Sequence, residues 1–325
     1  YLRDGVLVDA ATGKPVGSPF QIPSSTGGFA HYPRVEYSPH LVGGAGGFLV
    51  TWSEGGLTIQ ATVVSTTGTL VGPQLQLDFE GARDQAAPAI AYSTTSRRFL
   101  VAWQTAQNAI RTQLIDVAPG SGTISAYGGI ILITNPQTSR DPGVAWDSVT
   151  DQFGISYTGW DNQGAMAGFV RLSPAGGNPL GRQVFGYSSA GTYMSDIEFN
   201  TITKRFVMAW TNNQGTNWAE IASDSTIVSS GLVSVGLGGT DNLGIAFNPQ
   251  SNTLLAVGQP TSAGGFGTTE IVGVEMNGTG TPLSVAQLLT SGTPVKPTYY
   301  PRVAANPNGR QWDIAYSYDQ STMTS

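Results

Sequence analysis

The chain has 325 residues with a net charge of −6, no cysteine, and 11% charged residues, where soluble proteins usually carry about 25%. Without cysteine there is no thiol redox chemistry, thiolate metal site or disulfide framework. The acidic balance and lack of a basic run argue against nucleic acid or an anionic membrane surface as partner. No stretch approaches the ~20 consecutive apolar residues of a membrane span, and Gly, Ser, Thr and Asn carry the polarity, a composition that leans to an extracellular bacterial protein.

The first segment, Leu2 to Ile22, reads as the end of a repeat rather than the start of one. Gly13, Val16, Gly17, Phe20, Gln21 and Ile22 recur as Gly68, Val71, Gly72, Leu75, Gln76 and Leu77 at a constant offset of 55. The chain begins at Tyr1 without an initiator methionine or leader, so a processed or excised segment is expected.

Six copies of one cassette follow, each built on an aliphatic anchor: Val35, Ile90, Val144, Ile197, Ile245 and Val303. Their spacings are 55, 54, 53, 48 and 58 residues, and counting from Val303 off the end and back in to Val35 gives 57. A period near fifty with several short strands per unit, closing on itself, predicts a β-propeller. Two residues before the anchor stand Pro33, Pro88, Pro142, Ser195, Leu243 and Pro301, and proline there suits a strand's first residue. Two residues after it come Tyr37, Tyr92, Trp146, Phe199, Phe247 and Ala305. Then Ser38, Ser93, Asp147, Asn200, Asn248 and Asn306 open a turn by bonding their own backbone.

The second strands read Phe48 to Trp52, Phe99 to Trp103, Phe153 to Tyr157, Phe206 to Trp210, Leu254 to Gly258 and Trp312 to Tyr316. Apolar residues at nearly every position predict burial on both faces, as when each small sheet is sandwiched between two others. Third strands are predicted over Thr58 to Val64, Ala109 to Asp116 and Glu270 to Met276, and fourth strands over Gln74 to Leu77 and Ile130 to Thr134. The expected fold is all-β: a single six-bladed β-propeller over 1–325, with blades starting near 31, 86, 140, 193, 241 and 299. Residues 2–22 complete the last blade, which removes an exposed edge.

Catalytic motifs are scarce. There is no P-loop, Gly-x-Ser-x-Gly elbow, His-Glu-x-x-His or EF-hand loop, and His31 and His40 are the two histidines. No cofactor and no metal are expected. His40 reads as a solvated turn residue, and His31 lies just before a first strand. Asn277-Gly278-Thr279 is a formal glycosylation sequon, a pattern such loops also produce by chance.

Departures from the repeat single out five charges on innermost strands. One residue before the anchor the series is Arg34, Ala89, Gly143, Asp196, Gly244, Arg302; one after, it is Glu36, Ala91, Ala145, Glu198, Ala246, Ala304. In a six-fold ring, Arg34 and Glu36 face Asp196 and Glu198 across the axis. One reading is an ion-paired filler that seals the channel. The other is a site for a sugar or carboxylate with Asp196, Glu198 and Glu36 as acid and base groups. His31, Tyr32, Tyr299 and Tyr300 add aromatic surface at the strand entries, so His31, Tyr32, Arg34, Tyr299, Tyr300 and Arg302 form the candidate ligand-binding set. Trp160 and Trp218 are weaker candidates on or near outer strands.

Phe48-Leu-Val-Thr-Trp52, Ile59-Gln-Ala-Thr-Val63 and Gly68-Thr-Leu-Val resemble repeats of large secreted bacterial proteins of unassigned function, many from myxobacteria. Asn306-Pro-Asn-Gly-Arg310 followed by Ile314-Ala-Tyr-Ser317 is similar to the turn and strand of periplasmic Tol-system propellers. These resemblances imply a propeller and carry over no catalytic residue. The sialidase Asp-box and the Gly-His and Trp-Asp marks of WD repeats are missing. The expected function is a non-enzymatic extracellular or cell-surface module for binding, adhesion or structural assembly, with a periplasmic location as the variant. Its partner is a surface protein, a glycan or the chain itself, with no nucleic acid and no membrane span. The alternative is a carbohydrate-binding lectin, or a hydrolase or lyase using the channel carboxylates.

Overall fold

Each apolar run is too short for a helix and is bounded by turn-forming residues, so consecutive runs fold back on one another as antiparallel strands. In the computed structural model these strands assemble in sequence order into small sheets. The structure describes residues 3–9, 12, 14–22, 30–55, 58–78, 87–134, 139–188, 192–212, 215–234, 243–259, 271–289, 298–306 and 309–318.

The chain divides into two units, 1–155 with 170–180, and 156–169 with 181–325. The first unit opens with a two-stranded sheet, β1 (Arg3–Val8) and β2 (Pro15–Ile22). Two four-stranded sheets follow. One is β3 (Ala30–Ser38), β4 (Gly47–Glu54), β5 (Thr58–Ser65) and β6 (Leu70–Gln76). The next is β7 (Ala89–Ser93), β8 (Arg98–Gln104), β9 (Ile110–Val117) and β10 (Ile124–Leu132).

The division passes through the third four-stranded sheet, β11 (Arg140–Asp147), β12 (Gln152–Asp161), β13 (Gly164–Leu172) and β14 (Leu180–Ser188). The second unit holds β15 (Thr192–Asn200), β16 (Arg205–Asn212), β17 (Gly215–Ala222) and β18 (Ile227–Ser234) as one sheet. It also holds β19 (Leu243–Asn248), β20 (Thr253–Gly258), β21 (Val272–Asn277) and β22 (Gln287–Leu288) as another. It ends with the two-stranded sheet β23 (Thr298–Ala305) and β24 (Trp312–Tyr318). Among the described residues there are thus five four-stranded sheets and two two-stranded ones.

In the four-stranded sheets second and third strands are buried at nearly every position, as the unbroken apolar runs predict, whereas β24, expected from Trp312 to Tyr316 to be buried likewise, alternates half-buried and exposed residues over 312–315. In the first unit Leu49, Ile59 and Val63 pack against Tyr92, Phe99, Val101 and Trp103 of the following sheet. In the second, Val207, Ala209 and Trp218 pack against Ile245, Leu254 and Val274. Each fully buried side chain of this size contributes about 1.5–3 kcal/mol. Fourth strands are the exposed ones: β10 has no buried residue. It also runs earlier and longer than the predicted Ile130 to Thr134: Ser125 pairs regularly with Asp116, and Gly128 and Gly129 are absorbed at a bulge between Tyr127 and Ile131. Likewise β6 begins at Leu70, ahead of the predicted Gln74.

The turn from first to second strand has a fixed geometry. Seven residues after each of the first five anchors stand Val42, Arg97, Asp151, Lys204 and Asn252, with φ of 55°, 58°, 51°, 58° and 53°. The same backbone turn therefore recurs without a glycine to signal it.

Candidate functional site

The candidate residues sit where the innermost strands begin, and the local backbone is unusual there. In β3 the register with β4 slips between His31 (opposite Ser53) and Arg34 (opposite Thr51), so Tyr32-Pro33 contains one extra residue. β15 slips in the same way over Tyr193-Met194, and β23 over Tyr300-Pro301. Each bulge starts with a tyrosine, and bulges re-aim the side chains they carry. Tyr32 has φ of 52°, costly for a bulky residue, and its ring lies 5.9 Å from that of His31. Tyr193 does not stand out in the sequence, because its signal lies in the register rather than in composition. The side chains of Tyr299 and Tyr300 lie outside the described residues.

In the second unit two of the singled-out charges converge on one strand. Asp196 on β15 accepts from Ile197 N–H through Oδ1 at 3.0 Å and from Ile245 N–H of β19 through Oδ2 at 3.1 Å. Arg302 on β23 donates from its guanidinium to the carbonyls of Leu243 at 2.9 Å and Pro301 at 2.8 Å. An innermost strand is a sheet edge whose outward N–H and C=O groups need partners. Asp196 and Arg302 supply them to β19 from its two sides. Glu198 lies opposite Val207 on the same β15–β16 ladder and is half-buried.

In the first unit Arg34 donates to the carbonyl of Pro33 at 3.2 Å. Glu36, opposite Leu49, makes no ion pair among the described residues. Its surface is partly open, yet the protein crowded around it withdraws bulk water, and this desolvation pushes the carboxyl from its ordinary 4.5 up to about 8. Glu36 is therefore protonated at neutral pH, a donor rather than an anion.

At the opposite end of the innermost strands, the turn-opening residues do more than cap their own turns. Asn200 Oδ1 accepts from Ile202 and Thr203 N–H, while its Nδ2 donates to Gly278 O at 2.6 Å in the next sheet. Asn248 repeats this, donating to Gly309 O at 3.0 Å and Gln311 O at 3.3 Å. Ser93 donates to Asp151, which also receives the Trp146 indole N–H.

In the first sheet the clasp is made by His40, half-buried rather than solvated as the sequence suggests. Its Nδ1 lies 2.7 Å from the Tyr92 hydroxyl, and burial raises that phenol above its usual range while the hydrogen bond to Ser38 opposes the shift. Trp218 is likewise a core residue, 6% exposed, whereas Trp160 is 47% exposed at the end of β12. Among the described residues no group of three or more His, Asp or Glu gathers to hold a metal ion, and no helix is long and apolar enough to cross a membrane.

No protein-family model matches the chain, and no curated sequence does. Solved structures match its fold. A protein of unknown function from Dyadobacter fermentans aligns over 89% of this chain and 94% of its own, with TM-score 0.57 at 10% identity. The Dos1 propeller aligns over 83% of this chain and 62% of its own, with TM-score 0.50 at 11% identity. A Hadza microbial sialidase, Hz136, aligns over 85% and 61%, with TM-score 0.53 at 12% identity. The chain has a β-propeller-like all-β fold, and at these identities the likeness extends to the fold alone.

Proposed function

We propose that this chain is a non-enzymatic extracellular propeller, closed as six blades by its own terminal strands, that works as a binding, adhesion or surface-assembly module. One observation carries the non-enzymatic part: Asp196 and Arg302 are committed to backbone groups of β19, where they hold strands rather than wait for substrate. The fold likeness to a sialidase brings no chemistry with it, since the Asp-box is missing from the sequence.

Closure is supported from both ends of the chain. β2 contributes Phe20 and Ile22 to a cluster with Ala30, Val50 and Trp52 of the first four-stranded sheet. In the next sheet Leu77 and Trp103 share a cluster in the corresponding repeat positions. So β1–β2 behave as the outer half of a blade. β23–β24 pack Val303, Trp312 and Ile314 on Leu255 and Val257, as an inner half does. Joined, they make the sixth blade.

The test is a glycan library screened for binding and turnover with the wild type, Asp196→Asn and Glu198→Gln. We expect no turnover by any of them; turnover abolished by either variant makes the chain a carbohydrate-active enzyme. Light scattering against concentration tests assembly, and a monomer at every concentration removes that part of the reading. The tyrosine-led bulges favour a second reading, a lectin whose sugar stacks at His31, Tyr32 and Arg34 or at Tyr299, Tyr300 and Arg302. Binding lost in Tyr32→Ala and Tyr300→Ala would select it.

A further inference from the structure

We propose that Asn277 is an acceptor for an N-linked glycan. Asn277-Gly278-Thr279 is the single Asn-x-Ser/Thr sequence in the chain. It ends β21 in a turn whose hydrogen bonds all fall on one end of the amide. Asn277 Oδ1 accepts from Thr279 N–H at 3.1 Å, from the Thr279 hydroxyl at 2.8 Å and from Thr281 N–H at 2.9 Å. Nδ2 takes part in none of these bonds, and Asn277 is only half-buried.

Three donors on Oδ1 draw electron density from the amide and acidify the Nδ2–H that must be lost. The hydroxyl that makes the shortest of them belongs to the residue the sequon requires. Gly278 fixes the turn from the other side: its carbonyl receives Asn200 Nδ2, and a Cβ there would lie 2.2 Å from Asn252 Oδ1.

The donor implied is an oligosaccharide joined through its anomeric carbon to a lipid diphosphate. Nδ2 attacks that carbon, a C–N bond forms as the C–O bond breaks, and the diphosphate leaves with the electron pair. The Nδ2 proton passes to a base of the transferase, and nothing is oxidised. The proposal rests on the extracellular reading only for where the chain would meet such an enzyme.

The test therefore uses purified components: the folded chain, a single-subunit oligosaccharyltransferase and its lipid-linked donor, with intact and peptide mass spectrometry. We expect one glycan mass on the 271–289 region of the folded chain, none in Asn277→Gln or Thr279→Ala, and partial modification in Thr279→Ser. A synthetic peptide of residues 271–283 serves as control. Modification of the peptide but not of the folded chain overturns the proposal, because the turn would then shield the nitrogen; modification of neither overturns it because the segment is no substrate. Neither result depends on where the protein resides.

Discussion

Two tryptophans at the same repeat position have different fates. Trp103 donates its indole N–H to Asp78 Oδ2 at 2.7 Å, both residues being fully buried. In the sequence the repeat offset of 55 puts Pro23 at the position of Asp78, and Trp52 Nε1 is buried without a hydrogen-bond partner. Removing the acceptor from Trp103 leaves a buried donor unmet. Asp78→Ala should therefore cost about 2–3 kcal/mol in urea unfolding, well above a typical surface change.

Glu36 gives a pH signature. Its folded value, about 8, lies above its unfolded value near 4.5, so between these limits the native state binds a proton that the unfolded chain releases. Stability falls as pH rises through that window and is lowest above pH 8. Each pH unit between the two values is worth roughly 1.4 kcal/mol for a fully buried group, and the partial exposure of Glu36 discounts this. Glu36→Gln should therefore abolish the slope and gain on the order of 1–2 kcal/mol above pH 8. Thermal melts of both proteins from pH 4 to 9 check it. The charge itself stands out in the sequence as a break in an alanine column; its protonation does not, because desolvation depends on what surrounds the strand.

At the scale of strands and turns, cores are more legible in the sequence than edges. Runs such as Phe99 to Trp103 are apolar at every position and their burial follows directly. The fourth strands are solvent-facing and glycine-bearing, so β10 hides behind Ser125, Gly128 and Gly129. The left-handed turn residue is also hidden, because arginine, lysine and valine fill a position where glycine would have announced it. The turn openers Asn200 and Asn248 are legible as caps, but their second bond, into the next sheet, has no local signature.

Some glycines within strands are set by a neighbouring ring. On β13, a Cβ at Gly168 would lie 2.2 Å from the Tyr157 ring of β12. Gly168→Ala must displace a fully buried tyrosine and should cost about 1–3 kcal/mol. A shift of the chemical denaturation midpoint at constant slope would verify this. An unchanged midpoint would mean that the ring moves freely.

At the scale of the molecule, the proposed ring closure would depend on two half-blades. The anchor column usually packs toward the preceding sheet, and Ile245 is 3% exposed there. Val35 and Tyr37, on the first inner strand, are 60% and 48% exposed, and in the proposed ring they would be covered by the blade that closure supplies. Repeat arithmetic makes the succession of small antiparallel sheets readable from the residues alone, whereas the candidate site is less readable because its charges serve the scaffold in part. The chain lacks cysteine, so spin labels can be placed at Val6→Cys on β1 and Ala315→Cys on β24 alone, and the distance between them measured by pulsed electron resonance. Closure predicts a narrow distribution below about 25 Å, since neighbouring strands lie about 5 Å apart and a six-residue strand spans about 20 Å. A broad distribution beyond about 35 Å, outside the reach of adjacent strands, would contradict the closed six-bladed ring.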